Sequence, residues 1–373
     1  MMRTIKKVDE STRRSNKHMN SLYGSKGGLG VTQLKEDHRC EPSPGITAEK
    51  IERFKIISFI LNHGGCRESV KWNVAIENKN KEILHARLWD KAVEEINGPY
   101  RFDYVESFSH ASIRFADQLL IDHSREFVLV SDPIADLIHK FNMDGDYCGQ
   151  IFAGSPCADI HGVTGLFKDN DHLYVSDVAK RQIVRFSLEG KIEETYDLKK
   201  ITNNAYADVL PFFGCMDDNR VYLSCTGPSM ARHQIISFRK QNPVGSFQEL
   251  NTEKMNYPEH VIAYRGEIYV TDGKSNIVYK FNLQQKVFDI YIRINMPGSL
   301  RRCVFHENDV YMNVGNSIIK MNQDGFVIFF VDLSKISGLH DIGVNNIAIS
   351  SDGENTILFA SDYKQNCIHK FFI

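Results

Sequence analysis

Apolar and polar positions along residues 163–198 fall into short runs: "VTGLF", "KDND", "HLYVSD", "QIVRFSL", "EG" and "KIEETYDL". Short runs rich in Val, Ile, Tyr and Phe, bounded by Asp, Asn and Gly, read as β-strands. This stretch therefore predicts four short strands, with "EG" in the tight turn between the third and fourth. Apolar residues occur on both faces, as expected of a sheet packed between two neighbours.

The same pattern recurs. "VLVSDPIADLIHKFNMDG", "LYVSDVAKRQIVRFSLEG", "IYVTDGKSNIVYKFNLQQ" and "LFASDYKQNCIHKFFI" align on Asp132, Asp177, Asp272 and Asp362. Six residues after each Asp stands a β-branched residue: Ile138, Ile183, Val278 and Ile368. Eight after stands a base (Lys140, Arg185, Lys280, Lys370), and nine after stands Phe141, Phe186, Phe281 or Phe371. A short acceptor at the end of a strand suits Asp, which bonds nearby backbone N–H groups in a turn.

The aligned aspartates are 45, 95 and 90 residues apart, and the two long intervals hold degenerate copies, "RVYLSC" and "DVYMNV". Six units of 42 to 48 residues result. A fixed period of this length means a solenoid, a propeller or an array, and four-stranded units repeated radially are propeller blades. The last unit has only three strands before Ile373, while an unmatched strand, "YRFDYVESF" (100–108), precedes the first. Pairing 100–108 with 366–373 would close the ring and remove an exposed edge. The expected fold is all-β: a six-bladed β-propeller with a small N-terminal helical segment.

The unit "ADIHGVTGLFKDNDHLYVSDVAKRQIVRFSLEGK" resembles an NHL repeat, over residues 109–373, strongly in four units and weakly in two. The resemblance implies a six-bladed propeller. It implies either an enzyme or a module that binds a protein or RNA, because the fold is a scaffold for sites. NHL-like enzymes such as the peptide-amidating lyase hold a metal with histidines at the channel, and the seven-bladed virginiamycin B lyase is similar. No full motif of either is present, so no catalytic residue is carried over. Strictosidine-synthase-like and lactonase-like propellers use acidic channel residues, of which this sequence shows few.

Residues 1–45 are polar and read as a mobile arm. Its "YGSKGGLG" lacks the phosphate-loop spacing, so no nucleotide cofactor is expected. Residues 46–99 read as a helical segment packed on the propeller, which then spans 100–373. "TAEKIERFKIISFILNH" has a Thr47 cap candidate with Glu49 two later, and Ile83, Leu84, Leu88, Trp89, Val93 and Ile96 follow helical spacing. The alternative makes "KWNVAIENKNKEILHARLWD" a hairpin of a seventh blade.

Composition narrows the partners. The net charge of -2 gives no bulk case for nucleic acid or an anionic membrane. There is no transmembrane-length apolar run and no apolar h-region at the start. The eight cysteines follow no metal-ligand spacing, which reads as reduced thiols in a cytoplasmic protein.

In a propeller the connections entering the first strands converge at one end of the channel. His161, His260 and His340 precede first strands in alternate units, the arrangement a single divalent transition ion (zinc, iron or copper) would need. Hydrogen-bonded structural histidines are the alternative, more so for His139 and His369 inside third strands. Arg301 and Arg302 form a candidate clamp for a substrate carboxylate or phosphate, or a solvated pair. His110 and Asp341 border the same mouth as candidate substrate contacts. Glu259 and Tyr257, in "NYPEH", are candidate catalytic acids or bases, or exposed groups of a Pro-containing loop. The expected function is an enzyme, a metal-assisted lyase or hydrolase, acting at the mouth on a small molecule or peptide. The alternative is a non-catalytic propeller that binds a protein or RNA.

Overall fold

The computed structural model describes residues 102–151, 160–187, 189–205, 208–226, 233–294, 298–322, 327–351 and 355–373. The polar arm and the helical segment expected before residue 100 lie outside the described residues. The described chain is a six-bladed β-propeller of four-stranded antiparallel sheets. Strand β1 (Asp103–Phe108) comes first. Blade 1 holds β2–β5 (Leu119–Asp122, Phe127–Asp132, Leu137–Asn142, Tyr147–Ile151), and blade 2 holds β6–β9 (Val163–Lys168, His172–Asp177, Gln182–Ser187, Ile192–Asp197). Blade 3 holds β10–β13 (Leu210–Met216, Arg220–Thr226, His233–Arg239, Gln248–Leu250), and blade 4 holds β14–β17 (Pro258–Tyr264, Glu267–Asp272, Ile277–Asn282, Val287–Arg293). Blade 5 holds β18–β21 (Leu300–His306, Asp309–Val314, Ser317–Asn322, Val327–Asp332), and blade 6 holds β22–β24 (Val344–Ser351, Thr356–Asp362, Cys367–Phe372).

Blade 6 takes its fourth strand from β1, which pairs antiparallel with β24 in the register Asp103↔Phe372 to Phe108↔Ile368. The ring is thus closed by the two ends of the described chain, as the unmatched strand predicted. The innermost strands β2, β6, β10, β14, β18 and β22 neighbour one another in that order around the axis.

The repeat columns now have physical meaning. Ile138, Ile183, Val278 and Ile368 are fully buried, as are Phe141 and Phe371. They fill the clefts between blades: Leu129 and Ile138 of blade 1 meet Val163 and Val175 of blade 2, and Phe141 meets Phe359 and Ile368 across the 6–1 junction. Each such side chain contributes roughly 1.5–3 kcal/mol by leaving water. Two members of the basic column pair at the blade surface, Lys280 Nζ 2.5 Å from Glu267 Oε1 and Arg185 Nη1 3.0 Å from Glu194 Oε2, whereas Lys370 is buried beneath the closing strand with its Nζ 3.7 Å from Glu106 Oε1.

The "Ser/Thr-Asp" pair does two jobs. The hydroxyl caps a bulge in the inner strand: Ser131 accepts from Gln118 N, Thr271 from His260 N and Ser361 from Asn346 N, each at 3.0 Å. The Asp ties the turn after the second strand to the entry of the inner strand. Asp132 accepts from Arg114 N and Ala135 N, and Asp362 from Gly343 N and Lys364 N. A further column escaped the repeat alignment. The last residue of these turns (Asp136, Arg181, Asn276, Asn366) has a left-handed φ of 54–59°. In two of them the side chain accepts from the entry of the next blade: Asp136 from Gly162 N and Asn276 from Leu300 N. No helix among the described residues is long and apolar enough to cross a membrane.

Candidate functional site

The mouth between blades 3, 4 and 5 departs most from the repeat. In blade 4, buried Asp272 accepts from Asn256 N (2.7 Å), Tyr257 N (3.0 Å), Lys274 N (3.1 Å) and Ser275 N (3.2 Å). Gly273 N adds a bond to the Tyr257 carbonyl. These bonds fix the segment Tyr257-Pro258-Glu259-His260 as it enters β14. The residue after the Asp is glycine only here, against Pro133, Val178 and Tyr363 in blades 1, 2 and 6. A Cβ on Gly273 would collide with Glu259 Oε2, so the glycine makes room for that carboxylate.

Glu259 is buried, with its Oε1 3.4 Å from Arg301 Nη1 of blade 5. Its Oε2 is enclosed and has no hydrogen-bond partner among the described residues. Burial pushes its pKa up to about 7; the attraction of Arg301 pulls the other way, and the nearby Asp272 carboxylate adds to the rise. Glu259 therefore exchanges a proton near neutrality, as a general acid–base group must. Burial, then the Glu259 carboxylate, raises the pKa of the Tyr257 phenol, which stays protonated. Glu259, Tyr257 and Arg301 line a void with Phe212, Phe213, Ser224 and Thr226 of blade 3. Its volume of ≈ 10 Å³ is room for about one water molecule.

His260 and Arg302 form the layer beneath. The imidazole stacks on Phe213 at 3.8 Å, and its Nδ1 lies 2.5 Å from Arg302 Nη1. Burial, then the charges of Arg302 and Arg301, holds its pKa well below the usual imidazole range, so His260 is neutral. Burial lowers Arg302 to about 10, which still leaves it charged at neutral pH.

The structure thus brings together Tyr257, Glu259, His260, Arg301 and Arg302. It does not bring together the three histidines read as metal ligands. Among the described residues only Asp362, Cys367 and His369 form a group of three or more His, Cys, Asp or Glu side chains with ligand atoms within 4.8 Å of one another. His161 Nδ1 is 3.1 Å from Asp136 Oδ2, which makes it part of the junction of blades 1 and 2. His260 points a nitrogen at a guanidinium, which repels a second cation. His340 is exposed, and its carbonyl accepts from Gln365 Nε2. Two other candidates lie apart from the Glu259 cluster: His110 stacks on Tyr147 at 3.7 Å, and Asp341, 87% exposed, pairs with Lys364. His139 and His369 bond Asp132 and Asp362 respectively, as structural histidines do.

Gly273, Phe213 and Thr271 were missed as parts of the site. The break in the column after the Asp was the one signal for Gly273; the other two are ordinary strand residues in sequence. A larger cleft of ≈ 890 Å³ lies at the turns of blade 3 around Asp217, Arg220, Arg239 and Lys240. It is polar and open.

No protein-family model matches the sequence, and no curated protein matches it. Solved structures do match in fold. A putative gluconolactonase is 11% identical with a TM-score of 0.55, covering 72% of this chain and 94% of its own. Regucalcin, a calcium-binding protein from Agrobacterium tumefaciens, is 10% identical with a TM-score of 0.53, covering 72% and 93%. A catalytically inactive virginiamycin B lyase from Staphylococcus aureus, solved with quinupristin, is 12% identical with a TM-score of 0.51, covering 73% and 99%. Calcium takes six to eight oxygen ligands. The mouth described above offers one carboxylate set against Arg301, so these residues do not fit that ion. What these similarities establish for this chain is its six-bladed propeller fold, shared with proteins that include enzymes.

Proposed function

We propose that this chain is an enzyme of the hydrolase or lyase type, acting at the channel mouth on a small molecule or peptide with Glu259 as its base. One observation carries the reading. A buried carboxylate, raised to about 7 and with one oxygen unpartnered, borders a void of about one water. Burying such a group without a full set of partners costs stability, and strongly perturbed groups of this kind cluster at functional sites.

In the hydrolytic form, ionised Glu259 takes a proton from water as the oxygen adds to a substrate carbonyl. Arg301 stabilises the charge that develops on the carbonyl oxygen. Tyr257 gives its proton to the leaving oxygen. In the lyase form the same carboxylate takes a proton from carbon, the electron pair left behind forms a double bond, and the bond to the leaving oxygen breaks as that oxygen takes the Tyr257 proton. The size of the void favours hydrolysis. Gluconolactonases and virginiamycin B lyase share the fold, which supports an enzymatic reading of the mouth.

The test is a panel of lactones, esters and cyclic depsipeptides offered to the full chain and to Glu259→Gln. The expected loss in kcat is on the order of 10²–10⁴. The wild-type kcat/KM should rise with pH through about 7, as a base loses its proton. Equal rates in both proteins across the panel would sink the reading and favour a non-catalytic propeller that binds a protein partner.

A further inference from the structure

We propose that Ser107, His369 and Asp362 form a second reactive site, a Ser–His–Asp triad at the closing seam that accepts the acyl group of small esters. Ser107 stands on the closing strand β1, directly opposite His369 of β24. Asp362 ends β23. Ser107 Oγ is 2.6 Å from His369 Nδ1, and His369 Nε2 is 3.1 Å from Asp362 Oδ2. A nucleophile, its base and the group that orients the base stand at such distances in nucleophilic catalysis.

The proton positions follow from the partners. Burial opposes ionisation of Asp362, yet its bonds from His369 and from the N–H groups of Gln365, Gly343 and Lys364 hold its pKa below the usual carboxylate range. An ionised carboxylate only accepts, so His369 Nε2 carries the proton. Nδ1 then offers its lone pair to the Ser107 hydroxyl. Tyr104 Oη, 2.7 Å from Ser107 Oγ, donates in the same direction. His369 and Asp362 are fully buried, whereas Ser107 is exposed. The base is thus held in place and the nucleophile is open to solvent.

The chemistry is an acyl transfer. Ser107 Oγ bonds to the ester carbon as its proton passes to His369 Nδ1. Asp362 positions the imidazolium and stabilises its charge, and Tyr104 donates to the carbonyl oxygen as charge develops there. The bond from the acyl carbon to the alcohol oxygen breaks, and that oxygen takes the proton from Nδ1. Water then gives a proton to Nδ1 as its oxygen bonds to the acyl carbon. Ser107 Oγ leaves with that proton, and the acid is released.

Blade 1 is a built-in control. It repeats the pair as Asp132 and His139, with Nε2 3.4 Å from Oδ2, but Gln150 stands opposite His139, whose Nδ1 meets the Tyr147 hydroxyl at 3.5 Å. Blades 2 and 4 have Val184 and Tyr279 at the histidine's place in the repeat. The four-residue turn therefore forms without the histidine. Of the two blades that have one, only blade 6 sets a serine against it.

The experiment treats the full chain with a fluorophosphonate, which phosphonylates activated serines, and locates the label by mass. We expect a label on Ser107 that is absent in Ser107→Ala, and a stoichiometric burst of phenol from an aryl acetate. His369→Gln should label about 10²–10⁴-fold more slowly. Asp362→Asn should also label slowly, whereas Asp132→Asn, which alters the same bond in blade 1, should label as the wild type does. That pair separates the positioning role of Asp362 from its role in the turn. If a variant at His369 or Asp362 does not fold, the wild type and Ser107→Ala decide, since Ser107 is exposed. A wild type that takes no label, a label that Ser107→Ala retains, or His369→Gln labelled at the wild-type rate overturns the proposal. Because the label is located on its residue, turnover at Glu259 does not enter the readout.

Discussion

Blades 1, 2, 4 and 6 join their second and third strands by four-residue turns, between Asp132 and Leu137, Asp177 and Gln182, Asp272 and Ile277, and Asp362 and Cys367. Blades 3 and 5 do not. In blade 5 the pairing Val314↔Ser317 leaves two residues in the turn, and in blade 3 the pairing Thr226↔His233 leaves six. Those two blades also lack the Asp, with Cys225 and Val314 in its register. The carboxylate is thus an instrument of one turn length. Where the turn changes, its N–H groups no longer converge and the Asp is dropped. Between these two irregular blades sits blade 4, whose Asp272 holds Glu259 in place. Departures from a repeat's local rules tend to mark functional places, because the repeat itself already satisfies stability.

The sharpest way to break this contrast is to remove the acceptor from a regular blade and its substitute from an irregular one. Asp272→Ala deprives four backbone N–H groups of their acceptor inside a buried turn. We expect a loss of about 3–4 kcal/mol by denaturant unfolding, together with loss of whatever activity the mouth supports. Cys225→Ala, at the same register in blade 3, should cost about 1 kcal/mol, as a small cavity does. Equal costs would mean that the Asp is decorative rather than the tie described here.

A second test sets the site against the scaffold. The folded pKa of Glu259 is raised to about 7, above its unfolded value near 4.3. The folded state therefore holds this proton more tightly, and stability falls as pH rises from about 4 to about 7. Glu259→Gln has no such charge to bury. It should match the wild type near pH 4 and exceed it above pH 7, by at most about 4 kcal/mol. An opposite sign, with the variant weaker at high pH, would mean that Arg301 dominates and that Glu259 is a structural ion pair.

Much of the architecture was legible because it repeats. Ile138, Ile183, Val278 and Ile368 could be read as a column and are the buried wall between blades. The closing strand could be read because a fourth strand was wanting in the last unit. The site was only half legible. "NYPEH" and "RR" stood at inner-strand entries, and adjacent blades brought Glu259 against Arg301. The role of Gly273 was hidden, because only coordinates reveal a missing Cβ as space for a carboxylate. The three-histidine centre failed for a related reason. Alternate units place residues about a third of a turn apart, but side-chain direction depends on neighbours that spacing does not encode, such as Asp136 beside His161 and Arg302 beside His260.

The smallest effect is expected at the third of those histidines. His340 is exposed in the connection before β22, and the bond it makes to Gln365 Nε2 uses its carbonyl, not its ring. Replacing the ring leaves that bond intact. His340→Ala should change stability by less than about 0.5 kcal/mol, the usual range for an exposed substitution away from caps and networks. Turnover, once a substrate is found, should hold as well, because His340 is not among the groups around Glu259. A variant that loses both its ion and its activity while keeping its melting temperature would restore the centre expected of His161, His260 and His340. It would also require the mouth to close further than it does here, bringing His340 in from solvent.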